Sequence, residues 1–270
     1  MARMLGSTLS GWGSALSELG AGAADLVVPG ACAGCGAQRV RLSAGVCAGC
    51  VAALEAMRPY PTAPHPVPAG LPPCVTVGAY GGALRGVLLA YKEQGRYRLA
   101  RPLGALLAGA VAQVAGGARV PLLVVPVPST ARAARQRHGD HLARLSAHAV
   151  RRLRAAGWQA GLVRPLRALP RPDSAGLDTP GRAAAAESSL RMRASRMPHL
   201  RRGVMMGGML ILVDDIITTG ATLAAVTRLL GDADVQVKGA AVLAATRLRR
   251  RVAGDSDGLA PGGTEWANRR

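Results

Sequence analysis

The sequence predicts an α/β fold, a parallel sheet flanked by helices, preceded by a small N-terminal segment built on four cysteines. Three features of the chain lead there. From Cys74 onward, short apolar runs alternate with stretches of helical periodicity, the order expected of a parallel sheet covered on both faces. One such run, "LILVDDIITTGATL" at 210–223, passes from an apolar strand through two carboxylates into a turn bearing hydroxyls and glycine, and then into a helix. Upstream, Cys32, Cys35, Cys47 and Cys50 form two CxxC pairs ahead of a proline-rich stretch.

A chain of 270 residues has room for one large domain and a small appendage. Its apolar fraction of 49% is ample for a core, but it has no Phe and only 3% aromatics, so packing must rest on Leu, Val and Ala. Leu9, Trp12, Leu16 and Leu19 recur at helical spacing and predict an amphipathic helix over roughly 7–24. With no basic polar face, that helix is expected to dock on its own protein. It makes up residues 1–58 together with the cysteine segment. Residues 59–73 hold seven prolines and predict a stiff, extended linker that isolates this first unit.

The main domain is expected over 74–248. Val75–Tyr80 reads as a strand, Ala83–Glu93 and Leu99–Val114 as helices, Val120–Val127 as a strand and Leu142–Leu153 as a helix. A short apolar piece, Leu162–Leu166, precedes a loop rich in Arg, Pro and Gly. The strand Leu210–Val213 follows, closed by its two acids, then a helix over Ala221–Leu230 and a last strand over Val235–Ala244. The tail, 249–270, is polar and Gly-rich and is expected to be disordered.

The net charge is +19, and all but two of the 34 basic residues are arginine, the lysines being Lys92 and Lys238. A GC-rich genome accounts for arginine over lysine but not for only 15 acidic residues. Such an excess favours polyanionic partners, phosphorylated small molecules or nucleic acid, without choosing between them. Between Arg132 and Arg171 there are ten arginines and one acid, Asp140. Arg144, His148, Arg151 and Arg152 share one helix face, which is either a DNA contact or a solvated surface. No stretch approaches the roughly 18 apolar residues of a membrane span, and the N-terminus lacks a signal-peptide layout, so a cytoplasmic address is expected.

Two CxxC pairs offer four thiolates to a tetrahedral Zn²⁺, with Gly34 and Gly49 placed to turn backbone N–H groups toward sulfur. Two disulfides or four free thiols are the alternatives, the former disfavoured in a reducing compartment. A closed four-thiolate site has no open position, so its role would be structural. Cys74 stands alone and reads as an inert core thiol.

Small hydroxyl residues and glycine between a strand and a helix make a nest of N–H groups that suits phosphate. Carboxylates just upstream suit neighbouring hydroxyls, and together they fit a phosphorylated ribose. The stretch "LILVDDIITTGAT" resembles the 5-phosphoribosyl pyrophosphate (PRPP) signature of type I phosphoribosyltransferases. With the CxxC pairs, "AYGGALRGVLLAYKEQG" and "VVPVPSTARAARQRHGDH", the chain resembles the ComF/GntX family from about Leu26 to Arg247.

The resemblance implies a type I phosphoribosyltransferase-like sheet. It makes Asp214 and Asp215 the ribose-hydroxyl contacts and Thr218, Thr219, Gly220, Ala221 and Thr222 the 5′-phosphate loop. Pro126 to Ser129 would lie near pyrophosphate with Mg²⁺. Lys92 could neutralise pyrophosphate charge or simply end a solvated helix, and Arg182 is the arginine retained in the family's catalytic loop. In that loop Ser174 replaces a glutamine, and the Ala185–Glu187 run lacks the usual asparagine. The implied activity is transfer of phosphoribosyl to an unnamed acceptor; the alternative is a PRPP-binding accessory in DNA uptake. The five histidines are expected on surfaces or in loops. Adjacent carboxylates repel, so neutralising both aspartates is expected to leave the fold intact.

Overall fold

The computed structural model describes residues 30–118, 120–130, 134–135, 139–169 and 189–246. The expected N-terminal helix, the tail and the loop bearing Ser174, Arg182 and Ala185–Glu187 lie outside them. The elements run β1 (Leu42–Ser43), β2 (Val46–Cys47), α1 (Ala48–Glu55), β3 (Tyr60–Thr62), β4 (Cys74–Ala79), α2 (Gly82–Glu93), α3 (Ala100–Ala115), β5 (Leu122–Pro126) and α4 (His141–Ala155). They continue with β6 (Ala160–Leu162), β7 (Leu166–Ala168), β8 (Leu190–Met192), α5 (Met197–Met205), β9 (Met209–Ile217), α6 (Ala221–Gly231) and β10 (Gly239–Ala245).

Six strands form the main sheet in the order β3-β4-β10-β9-β5-β6, all pairs parallel except the edge pair β3–β4. The central strands are buried almost throughout because helices cover both faces, which is why they read as continuous apolar runs rather than alternating ones. β5 continues through α4 to its neighbour β6, whereas β9 continues through α6 to β10 on the other side. Right-handed crossovers running in opposite directions place α4 and α6 on opposite faces. The strand order therefore reverses between β5 and β9. Ligands of open α/β sheets bind at such a switch point, outside the carboxyl ends of the strands.

Three differences from the sequence reading bear on the site. β9 does not stop at its acids; pairing with β10 carries it on, with Val242 opposite Asp214 and Ala245 opposite Ile217. The proline-rich stretch is not only a spacer, since Tyr60–Thr62 within it adds a strand to the sheet edge. Nor is the cysteine segment isolated: Cys32, Ala33, Val46, Cys50, Val51 and Leu54 join one continuous core with the sheet. Periodicity also passed over the antiparallel β7–β8 hairpin and α5, because two- and three-residue strands and a single amphipathic helix among arginines leave little pattern. Among the described residues no helix is long and apolar enough to cross a membrane.

α3 and α4 cross at Gly104, where an added Cβ would stand 2.5 Å from the Cβ of His148 and 3.0 Å from the Leu145 carbonyl oxygen. Gly109, further along the same helix, has only Pro59 Cγ at 3.7 Å. Gly104→Ala should therefore destabilise the protein by about 1–3 kcal/mol through overpacking. Gly109→Ala should be neutral or stabilising by up to about 1 kcal/mol through helix propensity. Urea unfolding of the two variants checks the contrast; equal midpoints would refute the close crossing.

Candidate functional site

Side chains of a strand alternate between faces, so two adjacent residues inside β9 point opposite ways. Asp215 is buried at 7% exposure, whereas Asp214 and Ile216 are half-buried. The paired carboxylates of the sequence are thus two different groups. Asp215 Oδ2 takes Lys92 Nζ at 2.9 Å and the His141 Nε2 hydrogen at 2.8 Å. Burial opposes its ionisation, but the His141 hydrogen bond and the Lys92 charge outweigh that and hold the carboxyl at about 2, below the ordinary 3.8. Among the described residues Asp214 forms no ion pair. Its Oδ1 accepts the Asp215 amide at 2.8 Å, and burial together with the Asp215 charge raises its carboxyl to about 8.

Each partner of Asp215 is delivered by a helix end. Lys92 lies in the last turn of α2, with its side chain 17% exposed; it is the carboxylate's ion pair rather than a solvated helix-end lysine. His141 opens α4, whose N-cap Asp140 accepts the Ala143 amide at 3.0 Å. It is 5% exposed, which corrects the expectation that every histidine lies on a surface or in a loop. Tyr91 completes the joint: its hydroxyl donates to the His141 carbonyl at 2.7 Å, and burial raises it to about 12. The missed signal was positional, an Asp-His pair at the start of the helix that follows β5.

The predicted phosphate turn follows directly. Gly220 caps α6 in the left-handed conformation (φ 73°), which a side chain resists. Thr218 is exposed, Thr219 and Thr222 are half-buried, and Ala221 is the first helical residue. Ala221 N–H donates weakly to Thr219 Oγ1 at 3.4 Å, and the first-turn amides of α6 have no intrahelical partner. A Cβ on Gly220 would meet Leu71 Cδ1 at 3.0 Å and Pro64 Cγ at 3.2 Å, so the proline-rich segment packs against the turn. Across the switch point Pro126 pairs with Val213, and Val127 N–H donates to the Val213 carbonyl at 3.0 Å. The segment Pro126–Ser129 thus leaves the sheet beside the carboxylates. Lys92, Asp214, Asp215 and the 218–222 turn share one end of the sheet; Arg182 lies outside the described residues.

The four cysteines come together. Their sulfurs lie within 4.8 Å of one another, positioned to bind a metal ion, and Cys35 Sγ stands 3.8 Å from Cys47 Sγ. A tetrahedron with Zn–S bonds of about 2.3 Å has edges of about 3.8 Å. Gly34 N–H and Cys47 N–H point at Cys32 Sγ at 3.4 and 3.2 Å. Burial works against the Cys32 thiolate, but these backbone amides and that of Cys35 outweigh it and lower the thiol to about 6. Burial and the neighbouring sulfurs push Cys50 up. Four thiolates this close need a cation among them. Gly49 lies inside α1, and among the described residues the second N–H···S bond comes from Cys47 instead. Cys74 is the core thiol expected, raised to about 11 by burial.

The knuckle is pressed onto α2. A Cβ at Gly86 would lie 2.0 Å from the Gly34 carbonyl oxygen, and Arg96 Nη1 donates to the Ala31 carbonyl at 2.8 Å. The arginine face of α4 is less open than its pattern suggested. Arg144 stacks over the Tyr97 ring at 4.5 Å, and Arg152 and His148 are half-buried. His148 Nδ1 accepts from Arg151 Nη2 at 3.0 Å; burial and then nearby arginines lower its pKa to about 4.

Residues 183–258, just over a quarter of the chain, match the family model described as phosphoribosyl transferase domain. The match spans β8, α5, β9, α6 and β10, hence both aspartates and the phosphate turn. It supports a type I phosphoribosyltransferase-like domain. No curated protein matches the chain.

Metal analysis of reduced protein should find one zinc per chain, and chelation should lower Tm by several degrees. Each kcal/mol moves Tm by about 2–4 °C at this size, and the knuckle shares the core. Protein without metal and with an unchanged Tm would overturn this.

The two aspartates should differ in stability. Asp214 has its carboxyl raised, so its contribution is fully present below the unfolded pKa of about 4 and is lost as pH rises toward 8. Asp214→Asn should remove that loss and stabilise the protein at pH 7. Asp215 has its carboxyl lowered, so its stabilisation is present above about 4 and is lost as pH falls toward 2. Asp215→Asn leaves Lys92 without its counter-charge and should cost roughly 2 kcal/mol, less than a fully buried pair because Lys92 keeps some solvent. Urea midpoints from pH 4 to 8 check both signs. Neutralisation is therefore expected to be stabilising at Asp214 and costly at Asp215.

Proposed function

We propose that the chain binds PRPP in the crevice between the carboxyl ends of β5 and β9, as a phosphoribosyltransferase-family protein of the ComF type. One observation carries the reading: a half-buried carboxyl with no ion pair among the described residues, Asp214, stands just upstream of the glycine-capped turn that opens α6, at the sheet's topological switch point. The amides at 218–222 suit a 5′-phosphate, and Asp214 suits a ribose diol. Asp215, already holding Lys92 and His141, orders the strand end behind it. Pro126–Ser129 suits the pyrophosphate, where Mg²⁺ would neutralise charge when bound. Arg182 is proposed for the catalytic loop.

Pyrophosphate leaves C1 of the ribose as an acceptor nucleophile bonds there, and positive charge develops on the sugar. The chain then needs only to orient the sugar, stabilise the leaving group and exclude water. Pro64 and Leu71, packed against Gly220, favour the proline-rich segment as the hood over the site. The four-cysteine knuckle docked on the same domain supports the ComF type, with zinc in a structural role. A non-catalytic PRPP-binding accessory in nucleic-acid handling is the second reading, favoured by the net charge of +19. Cytoplasmic residence follows from either.

Calorimetric titration with PRPP and Mg²⁺ should give saturable binding, and Asp214→Asn should weaken it at least tenfold while the protein stays folded. Undiminished affinity in that variant would remove the reading. Pyrophosphate release on addition of acceptors separates transferase from accessory.

A further inference from the structure

Away from the carboxylates, an open cavity of about 210 Å³ is lined by Leu162, Val163, Arg164, Arg193, Arg196 and His199. Three segments build it. Leu162 ends β6 and the chain leaves the sheet's outermost parallel strand through Val163 and Arg164. Arg193 follows β8, Arg196 closes a 3₁₀ turn over Ala194–Arg196, and His199 lies in the first turn of α5. The opening is therefore at the same end of the sheet as the carboxylates, at the root of the β7–β8 hairpin.

Its lining is cationic, and no carboxylate is among its lining residues. The acid nearest in the bonding scheme, Asp140, is committed: Oδ2 takes Arg164 Nη2 at 2.6 Å and Oδ1 takes the Ala143 amide. Arg193 is steered by its own backbone contacts, its Nε donating to the Leu166 carbonyl at 3.2 Å and its amide to the Pro165 carbonyl at 2.6 Å. Among the described residues, the side chains of Arg196 and His199 form no hydrogen bond or ion pair. Three guanidinium groups around one hollow repel one another, and an anion in the hollow relieves that repulsion. Each offers the planar fork that matches phosphate or carboxylate oxygens. Buried Val163 and half-buried Leu162 add an apolar floor, which a bare inorganic ion does not need. At about 210 Å³ the hollow takes an acidic group on a body no larger than a single ring, and not a drug-sized ligand.

The geometry points to a second anion site, separate from the one for PRPP, that holds a small molecule carrying a phosphate or carboxylate on an apolar body. The two sites share the first turn of α4: Arg164 is tied to Asp140, and the next residue, His141, is tied to Asp215. Occupation of one therefore bears on the residues that order the other.

The test uses the full zinc-bearing chain, with inorganic phosphate and benzoate as separate probes, titrated by NMR with and without saturating PRPP. At least one probe should bind saturably, tighter for benzoate if the natural group is a carboxylate and for phosphate if it is a phosphate. Binding should persist beside PRPP. The double variant Arg193→Ala with Arg196→Ala should weaken it at least tenfold, and so should the exposed single reversal Arg196→Glu, with Tm and PRPP affinity unchanged. No saturable binding of either probe would overturn the inference. So would displacement by PRPP, which would assign the arginines to its own phosphates, or retention of duplex DNA alone. Saturable probe binding in a protein that ignores PRPP would uphold the second site and sink the phosphoribosyl reading instead.

Discussion

The end of β9 is organised by one carboxylate. Asp215 receives an ammonium from α2 and an imidazole N–H from α4, so a strand and two helices meet at a single oxygen. Two donors on one buried carboxylate compensate its desolvation, and removing any partner leaves the others exposed to that cost. Tyr91, beside Lys92 in α2, holds the backbone of His141 as well, so the joint is braced by a neutral hydrogen bond. The crevice between β5 and β9 takes its shape from this joint.

The joint also explains why Asp214 is available. A cation shared between two carboxylates would hold both; here the pleat sends Lys92 and His141 to one face only. Asp214 is left on the other face with a raised carboxyl and, among the described residues, one amide donor. That is an unfavourable arrangement for a folded chain by itself, and it becomes favourable when a hydrogen-bonding ligand supplies what the protein withholds. The adjoining turn is similarly incomplete, with first-turn amides of α6 unbonded within the helix.

α2 connects this site to the cysteine knuckle. Its middle, at Gly86, admits the Gly34 carbonyl only because no side chain intervenes, and its last turn carries Lys92. A metal among the four sulfurs would hold Gly34 in place, and through it the seat of the helix. The knuckle is thereby part of the domain's packing, and the shared core from Cys32 to Leu54 says the same.

Much of this was legible in the residues. The alternating runs gave the α/β class and most element bounds, because buried parallel strands and amphipathic helices leave opposite hydrophobic periods. The CxxC spacing located the sulfur cluster, and "DDIITTG" located the strand-to-helix turn capped by Gly220, since both are local in sequence. What tertiary structure alone decided is how neighbours in sequence were separated and strangers joined. Asp214 and Asp215 look alike until β10 extends β9 past them and the pleat turns them apart. His141 and Asp215 meet across 74 residues of chain, with Lys92 brought in from a third segment, and no period encodes such a meeting. The docking of the knuckle at Gly86, and the gathering of Arg164, Arg193, Arg196 and His199, likewise depend on packing between distant segments. A sequence declares which groups can do chemistry; the order of strands in the sheet determines which of them share a site.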